Sequence, residues 1–89
     1  MPILSAFYGL VVMMFFLDNK KHSKPHVHVK YQDEMAVIGI PNGEVIEGSL
    51  PVNRLKLVQA WIEIHKEELM TDWSLAVAGQ EIFKIEPLR

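Results

Sequence analysis

His26 and His28 stand two residues apart in the stretch KKHSKPHVHVKY, residues 20–31, with His22 and with Lys20, Lys21, Lys24 and Lys30 around them. If PHVHVKY is a strand, the two imidazoles leave the same face with α-carbons about 6.6–6.8 Å apart, close enough to converge on one cation. A site of this kind needs a third ligand. His22 is the nearest further histidine, and Asp18 and Glu34 are the carboxylates on either side. Completed in this way, it would hold a divalent transition metal and support hydrolysis, of nucleic acid or of another substrate. Neither HExxH nor a paired-cysteine spacing accompanies the pair. The same residues also read as an anion site built from Lys20, Lys21, Lys24 and Lys30, helped by histidine, the side-chain type that gains charge just below neutral pH. The plainest reading is the polar face of a strand, solvated or hydrogen-bonded.

His65, Trp61 and Trp73 are the other residues with chemistry to offer. His65 falls on the apolar stripe of a helical pattern, which predicts a core histidine with one ring nitrogen hydrogen-bonded. Trp61 and Trp73 are predicted as core anchors, with partner binding as the alternative use of such rings. No nucleophile elbow, phosphate-binding glycine loop or triad order is present.

Charge is divided unevenly along the chain. The net value is -2, yet residues 19–31 hold four Lys, three His and no acid, leaving all 11 acids and the other five of nine bases elsewhere. Such polarity suits an anionic partner or a self-complementary oligomer. Arginine is limited to Arg54 and Arg89 and no stacking platform is evident, so nucleic acid is the less favoured partner. With no cysteine there is neither a disulfide framework nor a thiolate metal site, and the cytoplasm is the expected location. The run AFYGLVVMMFFL, residues 6–17, is 12 residues long, against about 20 for a spanning helix. No basic residue precedes it and DNKKH follows it, so it does not read as a secretory signal either.

The elements that must position these residues follow from periodicity. The pattern predicts one α+β domain over residues 1–89: an antiparallel four-stranded meander (8–17, 26–31, 35–40, 44–49), then helices over 51–69 and 72–78 packed on the sheet, then a short strand at 82–85. In the second strand Val27, Val29 and Tyr31 point inward while His26, His28 and Lys30 take the other face. Gln32-Asp33 and PNGE are turns, and Gly9 and Gly39 inside strands mark bulges or close packing. Leu55, Val58, Ile62, His65 and Leu69 form the stripe of the long helix, widened by Leu57, Trp61 and Ile64, with Lys56, Gln59, Glu63, Lys66 and Glu67 for solvent. Thr71 or Asp72 caps the second helix and Gly79 stops it.

FYG near the start, PHVHVKY, GEVIEGSLP, LVQAWIEIHKEEL, DW and FKIEPL occur in this order at sensible spacing. Together they resemble the bacterial family known as domain of unknown function 4160, over about residues 3–88. The resemblance implies a small domain without an established activity, often encoded beside another small protein. That suggests one half of a two-gene pair, regulatory or of toxin–antitoxin type.

Both faces of the first predicted strand are apolar. Helices on one side of the sheet would leave Val11, Met13, Phe15 and Leu17 wet, forfeiting about 1.5–3 kcal/mol for each. A second copy or a partner protein is therefore expected to cover them. The leading expectation is a small binding module without catalytic residues or cofactor, acting with a protein partner. The alternatives are a metal-dependent hydrolase or nuclease using His26 and His28, and an accessory nucleic-acid or anion binder using the basic stretch.

Overall fold

The computed structural model describes residues 2–15 and 24–89. The order is β1 (Ile3–Phe7), β2 (Leu10–Met13), β3 (His26–Tyr31), β4 (Glu34–Gly39), β5 (Val45–Gly48), α1 (Val52–Ile64) and α2 (Lys66–Val77). The five strands form one antiparallel meander in chain order, and the class is α+β. Alternation sorts the side chains of the sheet into two faces. Leu10, Val12, Val27, Val29, Ala36 and Ile38 share one core with Val58, Trp61, Ile62, Leu69, Trp73 and Ala76, so both helices cover that face.

The apolar opening of the chain departs from the single strand predicted for residues 8–17. Tyr8 and Gly9, at φ 51° and 78°, make a two-residue hairpin turn that pairs Phe7 with Leu10 and Ala6 with Val11. Positive φ at both central residues matches the twist of the flanking strands, so Gly9 marks a reversal of the chain instead of a bulge. The uninterrupted apolar run hid this, because β1 and β2 each need an apolar inner face. Residues 16 and 17, the end of that predicted strand, lie outside the described residues.

The long predicted helix is also two. α1 ends at His65 (φ -110°), whose amide still donates to the Trp61 carbonyl, and α2 starts at Lys66 in place of residue 72. The bend swings the stripe, so Leu69, Trp73 and Ala76 are buried while Ile64, predicted for the stripe, is 65 % exposed. Gln59, predicted for solvent, is half-buried and its side-chain amide donates to the Gly43 carbonyl at 2.9 Å, fixing the β4–β5 turn to α1. Neither Thr71 nor Asp72 is a cap, since both lie inside α2. The stop at Gly79 follows the predicted chemistry. Gly79 (φ 75°) donates to Ala76 and Gln80 to Leu75, the paired bonds of a Schellman motif.

The tail does not form the short strand expected at 82–85. It carries no regular secondary structure, and among the described residues three hydrogen bonds hold it: Phe83 N to Asp72 Oδ1 at 3.0 Å, Ile85 N to the Leu4 carbonyl at 2.9 Å, and Trp61 Nε1 to the Glu86 carbonyl at 2.8 Å. Two of the three anchors are side chains, so sheet periodicity is not what places the tail.

Candidate functional site

β3 puts His28 on the face away from the helices, as strand alternation requires, but His26, expected on that same face, is buried against α2. His26 is the first residue of β3 and pairs with Gly39, the last of β4, so it sits at an end of the sheet. There it meets α2. Its ring centroid lies 4.9 Å from that of Trp73 and 5.3 Å from that of His28, and His28 in turn meets Phe15 edge-on at 4.4 Å. Four rings therefore run from the core, through Trp73, around the sheet end and onto its outer face. His26 is 1 % exposed and its Nδ1 lies 2.7 Å from the Lys24 carbonyl. A carbonyl only accepts, so Nδ1 carries the proton in that bond.

A backbone carbonyl on one ring nitrogen is also how many metal-ligating histidines are oriented. Among the described residues, however, no three His, Asp or Glu side chains come together to hold an ion. Glu34 is ruled out as the third ligand by register. It pairs with Tyr31 at the opposite end of β3, five residues or about 17 Å from His26. His22 and Asp18 lie outside the described residues, as do Lys20 and Lys21 of the basic stretch. Lys24 and Lys30 are exposed, Lys30 on the outer face beside Met35 and Val11.

That outer face carries two cross-strand rows. Ala6, Val11, Lys30 and Met35 form one, and Ile3, Met13, His28, Val37 and Glu47 the other. Among the described members of the two rows, Lys30 and Glu47 are the charged ones. Of the side chains expected to be wet, Val11 and Phe15 are half-buried and Met13 is only 4 % exposed within the single chain, while Leu17 lies outside the described residues. Met13 therefore needs no partner to leave water, which corrects that part of the expectation. The solvent-exposed apolar area falls instead on Ile3 (46 %) and Met35 (47 %), at two corners of the patch.

Trp61 is fully buried, 5.4 Å from the ring of Phe7, and Trp73 is buried among the helix and sheet residues of the core. His65 is half-buried at the helix junction, where its Nδ1 lies 2.6 Å from Glu68 Oε1, and it does not reach the β3 histidines.

Sequence reasoning took Asp72 as a possible helix cap and missed its burial. It is 2 % exposed, Oδ1 accepts from the Phe83 amide, and buried Oδ2 has no partner. Burial raises its pKa above the usual carboxylate value; the Phe83 bond pulls the other way and the nearby Glu68 charge adds to the rise. The signal was available, because Leu69, Asp72, Trp73 and Ala76 fall at i, i+3, i+4 and i+7, the spacing of one buried stripe.

The family model described as a domain of unknown function, DUF4160, matches residues 9–74 of the 89. The chain belongs to that family. No curated protein and no solved structure matches it. The DUF4160 match takes in the ring row at Phe15, His28, His26 and Trp73 together with Asp72; β1, which brings Ile3 to the outer face, lies before it. No helix among the described residues is long and apolar enough to cross a membrane.

Proposed function

We propose that this chain is a small protein-interaction module that docks through the outer face of its sheet. The supporting observation is the pair of cross-strand rows from β1 to β5, in which exposed Ile3 and Met35 and half-buried Val11 lie around His28, with Phe15 against the His28 ring and with Lys30 and Glu47 as the charged members. Apolar side chains that stay half in water on one face of a sheet are what a docking surface provides. The ring row adds rigidity, since Phe15 and His28 are backed by His26 and Trp73 and lose little freedom when covered. The occupant is a protein: a second copy or, as the family resemblance suggests, the small protein encoded alongside in a two-gene pair.

The test is the Ile3→Lys/Met35→Lys double variant, with mass read by light scattering and native mass spectrometry for the chain alone and mixed with the product of the adjoining gene. Each side chain has about half of its burial energy still to gain, so losing both costs about 2 kcal/mol, or roughly thirtyfold in Kd. A complex weakened by that factor supports the reading. A chain that stays monomeric in both conditions, or a complex indifferent to the two lysines, overturns it.

A further inference from the structure

The C-terminal tail lies in a seat whose bonds are made to its main chain. Asp72 Oδ1 accepts from the Phe83 amide, the Leu4 carbonyl accepts from the Ile85 amide, and Trp61 Nε1 donates to the Glu86 carbonyl. No side chain of the tail enters any of the three. Leu4 belongs to the edge strand β1, is passed over in the β1–β2 register, and turns its carbonyl to the tail. The tail's own side chains fit by a simple rule. Ile85 is buried in the core and Ile82 and Leu88 pack partly buried against it, whereas Phe83, Lys84, Glu86 and Pro87 are exposed. Burial at every third residue belongs to a segment that bonds to its groove and not to itself.

One part of the seat is unused. Asp72 is 2 % exposed, yet its Oδ2 has no partner, and Glu68, one turn back on α2, is a second acid near it. A buried carboxylate is normally paired or fully hydrogen-bonded. Lys84 follows the residue whose amide meets Asp72, but its side chain is exposed and leaves Oδ2 without a partner. Trp61 and Asp72 fall inside the stretch matched by the DUF4160 model, residues 9–74, and the segment they hold lies beyond its end. The matched unit thus includes the two side chains of the seat and not their present occupant.

From a seat that bonds main chain and keeps a buried carboxylate oxygen unused, we propose that the tail is a placeholder. The seat binds an extended segment of a partner protein that has an apolar side chain at every third residue and a basic side chain for Asp72. The incoming segment takes over the tail's amide and carbonyl contacts and adds the ion pair that the tail does not make. Oδ2 shares its carbon with the oxygen that already meets the Phe83 amide, so a basic side chain at or beside that position reaches it. The Phe83 ring is 68 % exposed, so exchanging it for a basic side chain gives up little burial. The site is separate from the outer-face rows, and the reading does not depend on docking there.

The probes are two synthetic peptides, residues 80–89 of this chain and the same peptide with Phe83→Lys, titrated into the ¹⁵N-labelled full chain. A short linker holds the tail near its seat at an effective concentration in the millimolar range. An Ile85→Asp variant of the full chain, which weakens its own tail and leaves the seat residues unchanged, is therefore titrated beside the parent. Saturable shifts are expected at the Leu4 and Ser5 amides and at Trp61 Nε1. The Phe83→Lys peptide should bind about tenfold tighter than the natural one, and Asp72→Asn in the chain should abolish that preference. Ile85→Asp should tighten both peptides by about tenfold or more, because the apparent Kd falls as the fraction of open seats rises. Absence of saturation with either chain, shifts centred on Lys30 and Met35, or equal binding of the two peptides would overturn the proposal. So would a preference that survives Asp72→Asn, or a folded Ile85→Asp variant that binds no tighter than the parent. If Ile85→Asp does not fold, the position-resolved map of the parent with the Phe83→Lys peptide decides.

Discussion

Asp72 offers a prediction whose two halves can be measured separately. Its Oδ1 ties the tail to α2 through the Phe83 amide, while its Oδ2 is buried without a partner and its pKa is raised, chiefly by burial. An acid with a raised folded pKa favours its protonated form in the folded state. Its contribution to stability is thus fully present below the unfolded value of about 3.8 and is lost as pH rises through the folded pKa. At neutral pH the buried carboxylate is a cost. Asp72→Asn keeps an acceptor for Phe83 without the charge and should be more stable than the parent at pH 7. The gap should close as pH falls through the folded pKa. Asp72→Ala keeps no acceptor and strands the Phe83 N–H, so it should lie about 1–3 kcal/mol below Asp72→Asn. For a domain of this size each kcal/mol moves the midpoint by about 4–8 °C. The assay is thermal and urea unfolding of the three proteins from pH 3 to 7, with hydrogen exchange at Phe83 as the local probe. A parent–Asn gap that does not vary with pH, or that widens on acidification, refutes the reasoning. So does an alanine variant equal in stability to the asparagine one.

Gly48→Ala should destabilise by more than about 2 kcal/mol in urea unfolding, because φ is 79° and a Cβ there would run into the Met35 carbonyl and Ala36 backbone of β4. Gly79→Ala, at φ 75° on an exposed helix end, should cost only about 1 kcal/mol and serves as its control. Trp61→Phe removes the donor to Glu86 and leaves a gap beside Phe7, so a loss of about 2–4 kcal/mol is expected, with faster exchange at the Ile85 amide. Protein purified without an affinity tag should carry no stoichiometric transition metal by native mass spectrometry. About one equivalent, absent from a His26→Ala/His28→Ala variant, would move the reading to the hydrolase.

The sequence by itself determined whatever depends on local periodicity and turn chemistry. Alternation in PHVHVKY sends Val27 and Val29 to the core and His28 to the other face, because a strand repeats every two residues. The two-residue turn at Gln32-Asp33 and the Schellman stop at Gly79 follow from residues that accept the required dihedrals. Three features were beyond its reach. The Tyr8–Gly9 reversal was hidden because β1 and β2 are both apolar, and only pairing across the sheet separates them. The bend at His65 leaves the helical period intact on either side, so it emerges only where α2 packs against His26 through Trp73. The tail takes its place from Trp61 and Asp72, 25 and 11 residues away from the groups they hold. His26 and Trp73 each have an ordinary local role in the sequence, and only the fold turns them into a ring row, because burial and side-chain distance are properties of packed elements and not of spacing along the chain.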